Sequence, residues 1–256
     1  MLGQALSAMP PVRQLDEVPR AHAGVSVKLA LLKGFVLTCN EVCVPLSVGL
    51  QHLLAYLALH RRALRRTHVA ATLWDDVTDQ RAAGNLRSAL WRLRSLELDI
   101  VGSQNQHLSL SENVAVDIYE AEKVARFVLD PTTDTDGLKL EDLPIAGELL
   151  PGWDEDWVLL ERERLRQIGL HMLDALCERW TLSGRCEEAV MAGLAAVTSE
   201  PLRESSQRAL IGAFLAEGNP SEALRRYGIY RDVLWRELRL EPSARISAMV
   251  EGLSRR

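Results

Sequence analysis

Four arginines fall within fourteen residues, Arg81, Arg87, Arg92 and Arg94, interleaved with Ser88 and Trp91. A guanidinium is a planar fork of donors that keeps its charge at any physiological pH. It matches the paired acceptors of guanine and the oxygens of a phosphate. Arginines spaced among small polar and apolar side chains are therefore material for a nucleic-acid contact. Catalysis has no comparable set. The chain holds no G-x-x-x-x-G-K-[ST], no H-E-x-x-H and no G-x-S-x-G. Its six histidines are scattered: His68 and His107 lie near the arginine-rich region, and His171 lies inside a helical pattern, where packing is its ordinary role. Cys39, Cys43, Cys177 and Cys186 form no C-x-x-C and stand beside no H-x-x-x-H pair. They read as plain thiols, not as metal ligands or a disulfide framework. No catalytic residue, no cofactor and no metal site is expected.

The arginines need an element to carry them. Leu86, Leu90 and Leu93 recur at helical spacing, which predicts a long helix over Gln80 to about Leu96, capped by Asp79. Before it, Thr67 is expected to cap a short helix that turns Val69, Ala70, Leu73 and Trp74 inward. Earlier still, Leu50, Leu53, Leu54, Leu57 and Ala58 mark one face of a helix capped by Ser47 and ending near His60. Arg61 to Arg66 reads as a basic turn. Val25–Leu32 and Phe35–Val44 alternate as strands, with a turn at Asn40-Glu41, and Pro45 stops them. After the long helix, Ile100-Val101, a polar turn from Ser103 to Gln106, and His107 to Leu110 read as a hairpin. The order is sheet, helix, short helix, long helix, hairpin. In that order the short helix positions the arginine-bearing one, and the hairpin reaches flanking backbone.

Charge divides along the same line. The net charge is −5, but Lys28–Leu110 holds ten Lys or Arg against six Asp or Glu, and Ser111–Arg256 holds eighteen against twenty-seven. A basic part joined to an acidic part fits one surface for phosphates and another for protein. At 256 residues, with 47% hydrophobic and 5% aromatic residues, two domains with aliphatic cores are expected. No apolar run is long enough to span a membrane, and no secretory signal is apparent, so a cytoplasmic protein is expected.

The second half reads as helical throughout, with Asp117–Leu129 as one helix and Asp130 to Gly137 as a loop. Asp154 is expected to cap a long helix from about Glu155. Gly184-Arg185-Cys186-Glu187-Glu188-Ala189 and Gly218-Asn219-Pro220-Ser221-Glu222-Ala223 share G-x-x-x-E-A spacing, and their glycines are 34 residues apart, the tetratricopeptide period. Each glycine ends a helix in a left-handed turn, and each alanine lets the next helix pack closely. Asn219-Pro220 and Glu241-Pro242 start further helices. Trp153, Trp157, Trp180 and Trp235 are expected to pack between them.

Leu86-Arg87-Ser88-Ala89-Leu90-Trp91-Arg92-Leu93-Arg94, following Thr67-His68-Val69-Ala70-Ala71-Thr72-Leu73-Trp74, resembles the OmpR-type winged helix of response-regulator effector domains. More narrowly, it resembles the Streptomyces antibiotic regulatory protein family. The phrase Leu149-Leu150-Pro151-Gly152-Trp153-Asp154-Glu155-Asp156-Trp157 is similar to the opening of that family's bacterial transcriptional activation domain. The resemblance implies a mostly α protein with a small β part. Its expected layout is a tail over 1–24, a winged-helix domain over 25–112 and a TPR-like helical domain over 113–256. It implies that Arg92 and Arg94 lie on the DNA side, that Arg87 and Ser88 face the same groove, and that Arg81 meets phosphate. Thr67, Trp91 and Asn105 complete the expected DNA-binding set. The hairpin tip departs from the family, with Gln104, Asn105, Gln106 and His107 where an arginine is usual. The implied partners are double-stranded DNA, RNA polymerase and a second copy on DNA. The alternative is an adaptor whose helical half binds protein and whose winged helix is an interaction fold.

Overall fold

The computed structural model describes residues 26–143 and 147–253, so the expected N-terminal tail lies outside the described residues. The chain separates into two compact units. The described part of the first covers 26–31 and 35–116. That of the second covers 32–34, 117–143 and 147–253.

The first unit runs β1 (Val27–Ala30), β2 (Val36–Cys39), β3 (Val42–Cys43), α1 (Val48–His60), β4 (Leu64–Arg65), α2 (Arg66–Leu73), α3 (Asp79–Ser95), β5 (Val101–Gln104), β6 (His107–Leu110) and β7 (Val114–Val116). Its strands form two sheets. One has the order β3-β2-β1-β7, with β1 antiparallel to β2 and parallel to β7. Val27 lies opposite Val114 and Leu29 opposite Val116, and these four side chains are buried. The other sheet has the order β4-β6-β5. Asn40-Glu41 and Asn105-Gln106 each take two successive positive φ values, as a tight two-residue hairpin turn requires. The expected turn at Asn40-Glu41 is present, and the second hairpin turns on Asn105-Gln106 alone, because Ser103 and Gln104 continue β5.

Helix α1 departs from the one-faced pattern expected. Leu50 and every residue from Leu53 to Leu59 are buried, so it is enclosed by the unit on most sides. Three helix starts also shift. Arg65 stands at the N-cap of α2, leaving Thr67 exposed inside the helix, and Thr78, not Asp79, stands at the N-cap of α3. In the second unit Glu155, not Asp154, precedes the long helix. Acidic side chains one residue inside a helix still complement its positive end.

The second unit comprises α4 (Asp117–Leu129), a 3-10 turn at Leu140–Asp142, α5 (Asp156–Leu182), α6 (Cys186–Ser199), α7 (Glu204–Ala216), α8 (Pro220–Leu238) and α9 (Ala244–Glu251). Gly184 and Gly218 close their helices at φ +79° and +84°. Ala189 and Ala223 are fully buried, which is what the repeat's spacing implies. Trp180 fills the core among Leu173, Leu176, Cys177 and Ala192. Gly193 lets α6 approach closely: a Cβ there would meet Leu210 at 3.0 Å and Cys177 Sγ at 3.1 Å. Burial pushes the Cys177 thiol up to about 12, with Asp174 and Glu178 adding to the shift, so it stays protonated.

Side-chain cations hold the irregular parts of this unit. Arg179 donates to the carbonyls of Val128, Asp130 and Thr133, and Arg185 to those of Thr135, Asp136 and Leu138. These bonds order a loop that has no ladder of its own. Asp174, buried, accepts from Arg203 Nε at 3.1 Å, Ser205 Oγ at 2.7 Å and Ser206 Oγ at 2.5 Å. Glu204 accepts from both the N–H and the hydroxyl of Ser243, the N-cap residue of α9. The expectation of packed tryptophans holds for Trp180. It fails for Trp235, 48% exposed, whose ring carries the Arg239 guanidinium at 5.8 Å. Trp153 and Trp157 are half-buried and meet edge to face at 6.3 Å. His171 is exposed and does no packing.

Candidate nucleic-acid interface

Helix α3 is divided cleanly. Ala82, Leu86, Ala89, Leu90 and Leu93 are buried, while Arg81, Arg87, Ser88, Trp91, Arg92 and Arg94 are exposed. The buried stripe fixes the rotation of the helix about its own axis, and that rotation decides which side chains point outward. Helix α2 packs directly against it, with Val69 and Ala70 buried and Leu73 and Trp74 half-buried.

The exposed arc has internal order. At about 100° per residue, Gly84, Ser88, Trp91 and Ser95 share the line opposite the leucines. Arg87 and Arg94, seven residues apart, lie along one flank of that line, and Arg81 and Arg92, eleven apart, along the other. Arg92 and Arg94 are thus about 160° apart around the axis. Sequence reading grouped them as one step; the helix separates them. Ser88 Oγ donates to Gly84 O at 3.1 Å and Ser95 Oγ to Arg92 O at 2.7 Å. Both serine protons are committed to the helix, so their oxygens face outward as acceptors.

The remaining expected residues gather elsewhere on the unit. Asn105 is exposed at the tip of the β5–β6 hairpin. Arg66 N–H donates to Gln106 O at 2.9 Å, and Arg65 pairs opposite His107 between β4 and β6. The tip is therefore tied to the start of α2, where Thr67 is exposed. Sequence reading missed Arg65 as part of this cluster. Its signal was the alternation Ala63-Leu64-Arg65: Leu64 is buried opposite Leu108, which turns Arg65 outward beside His107. The hairpin lacks an arginine of its own, and β4 supplies one next to it. His68 hydrogen-bonds to the Tyr56 hydroxyl at 3.1 Å, which engages one of its ring nitrogens inside the unit.

Electrostatically the set is uncompensated. Among the described residues, Arg62, Arg65, Arg81, Arg87, Arg92 and Arg94 have no carboxylate within ion-pair distance, although six acidic residues lie in the same stretch of chain. Like charges left exposed and unpaired raise the local potential and attract anions. Among the described residues no group of three or more His, Cys, Asp or Glu could hold a metal, and no helix is long and apolar enough to cross a membrane.

A winged helix with an arginine-bearing third helix is thus joined in one chain to TPR-like helices. Residues 143–253 match the family model of the bacterial transcriptional activator domain. No curated protein matches the sequence. Among solved structures, the chain is similar to Mycobacterium tuberculosis EmbR in complex with a low-affinity phosphopeptide, at 19% identity and a TM-score of 0.68. That match covers 90% of this chain and 65% of the other, so the chain spans under two thirds of the solved one. The second unit thus carries a region that matches the bacterial transcriptional activator domain.

Proposed function

We propose that the protein binds promoter DNA sequence-specifically and activates transcription. The observation that carries this reading is the outer arc of α3, where four exposed arginines without ion-pair partners among the described residues stand over a buried leucine stripe. Helix α3 enters the major groove, Arg81, Arg87, Arg92 and Arg94 contact DNA on either side of Ser88 and Trp91, and Thr67, Arg65 and Asn105 touch flanking backbone. Two copies bind side by side on direct repeats, and the activator domain contacts RNA polymerase, as the family resemblance implies. A contact worth about 1.4 kcal/mol raises polymerase occupancy tenfold where occupancy is low. The protein works where the chromosome is, in the cytoplasm.

In vitro selection from a random duplex library at two salt concentrations tests this, with the wild type and an Arg92→Ala, Arg94→Ala variant. A motif enriched by the wild type, weakened steeply by salt and lost in the variant supports it. A folded wild type that enriches nothing at low salt overturns it and favours a protein-binding adaptor.

A further inference from the structure

On an outer face otherwise made of arginine, serine, glycine and Asn85, Trp91 is 70% exposed. It lies in the C-terminal half of α3, on the line of Gly84, Ser88 and Ser95 and between the two arginine flanks. An isolated exposed apolar residue needs no special account. This one stands where the charge pattern converges, and its neighbours on the line are all small, so the indole projects furthest from the helix. The flanking arginines fit the two phosphate walls of a groove about 12 Å wide, which places the central line over the base edges. The only apolar feature that B-DNA presents in the major groove is the C5-methyl group of thymine. An indole is apolar on its faces and carries a single donor, Nε1–H. The Ser88 oxygen one turn away, its proton held by Gly84 O, is suited to accept from an exocyclic amino group of adenine or cytosine.

We infer that Trp91 is a specificity-determining residue that reads thymine by packing its indole on the C5-methyl group, while the arginines on both flanks position the helix on phosphates. This rests on the DNA-binding reading above. It assigns base discrimination to the centre of the arc and affinity chiefly to its edges.

The test begins with a duplex selected by the full chain. Each thymine is replaced in turn by deoxyuridine, which removes only the methyl group, and affinities are measured for the wild type and for Trp91→Ala. Because Trp91 is exposed, the variant should keep the wild-type circular dichroism and melting temperature. At one or two positions, deoxyuridine should weaken wild-type binding about fourfold, the worth of one buried methyl group. The same replacement should leave Trp91→Ala binding unchanged. A selected site that is insensitive to deoxyuridine everywhere, a site without thymine, or an equal loss in wild type and Trp91→Ala would overturn the assignment to Trp91. In all three cases DNA reading by α3 survives, provided that Arg87→Ala, Arg94→Ala still weakens binding to the selected duplex. A chain that selects no site loses both.

Discussion

In the helical unit Arg162, Arg164, Arg166, Arg203 and Arg208 each lie against a carboxylate, and Arg179 and Arg185 hold backbone carbonyls. In the winged-helix unit Arg62, Arg65, Arg81, Arg87, Arg92 and Arg94 meet no carboxylate among the described residues. The side chain is the same and the number of acids in reach differs. Where acids are in excess, arginine ties one helix to the next. Where they are few and turned elsewhere, its charge is left facing solvent. The helical half therefore uses arginine for stability, and the winged-helix half leaves it for the polyanion proposed above.

Removing a clamped arginine or its partner should cost stability and leave DNA affinity unchanged, and removing an exposed one should do the reverse. The largest effect is expected at the buried cluster. Asp174→Ala strands Arg203 and two serine hydroxyls, and chemical denaturation should show a loss of about 3 kcal/mol. Preserved stability in that variant would mean that the cluster is decorative and would break the contrast. Next comes the four-arginine variant with Ala at 81, 87, 92 and 94. It should bind the selected site about a hundredfold more weakly, with the slope of log K against log salt lowered by about 0.9 for each phosphate contact removed, while its melting temperature stays at the wild-type value.

A smaller effect is expected at Glu204. Burial opposes its charge, but the Ser243 hydroxyl and N–H and the Tyr230 hydroxyl outweigh it and hold the carboxyl below its ordinary value. A carboxylate whose folded pKa is depressed contributes stability above its unfolded pKa, and that contribution is lost as pH falls through the folded pKa. Protection of α9 amides from hydrogen exchange should therefore fall on acidification below the ordinary carboxylate range. Glu204→Gln should flatten that dependence and cost about 1 kcal/mol at neutral pH. The smallest effect is expected at Arg225, which pairs with Glu222 on the surface of α8. Arg225→Ala should change stability by less than about 0.5 kcal/mol. A larger loss there would show that surface pairs matter more in this unit than their exposure suggests.

Much of this arrangement is legible in the chain. The leucines of α3 repeat often enough to fix its buried face, and that face fixes the exposed arc by subtraction. Gly184 and Gly218 announce the repeat because a left-handed turn selects glycine and the 34-residue offset repeats the requirement. Short pieces are illegible for a physical reason. Two residues, Leu64 and Arg65, cannot display a period, so β4 passed for a basic turn and Arg65 was missed as part of the hairpin cluster. Val114–Val116 shows one alternation, and its partner lies far upstream. Thr67 has the hydroxyl of a cap, but β4 delivers the chain to α2 two residues earlier, so Arg65 takes the N-cap and the helix starts at Arg66. Within α3, the grouping of Arg92 with Arg94 followed their adjacency in sequence, which a helix turns into opposition.

The strand β7 has a consequence for synthesis. Val27 cannot acquire its partner Val114 until 87 further residues exist, and β1 lies between β2 and β7. The earliest described strand of the winged-helix unit thus waits for the last, a contact order that slows folding more than the local helix pairs of the second unit do. A nascent chain halted before residue 114 would expose one edge of β1, and the arginine helix would emerge from the ribosome well before the sheet beneath its unit can close.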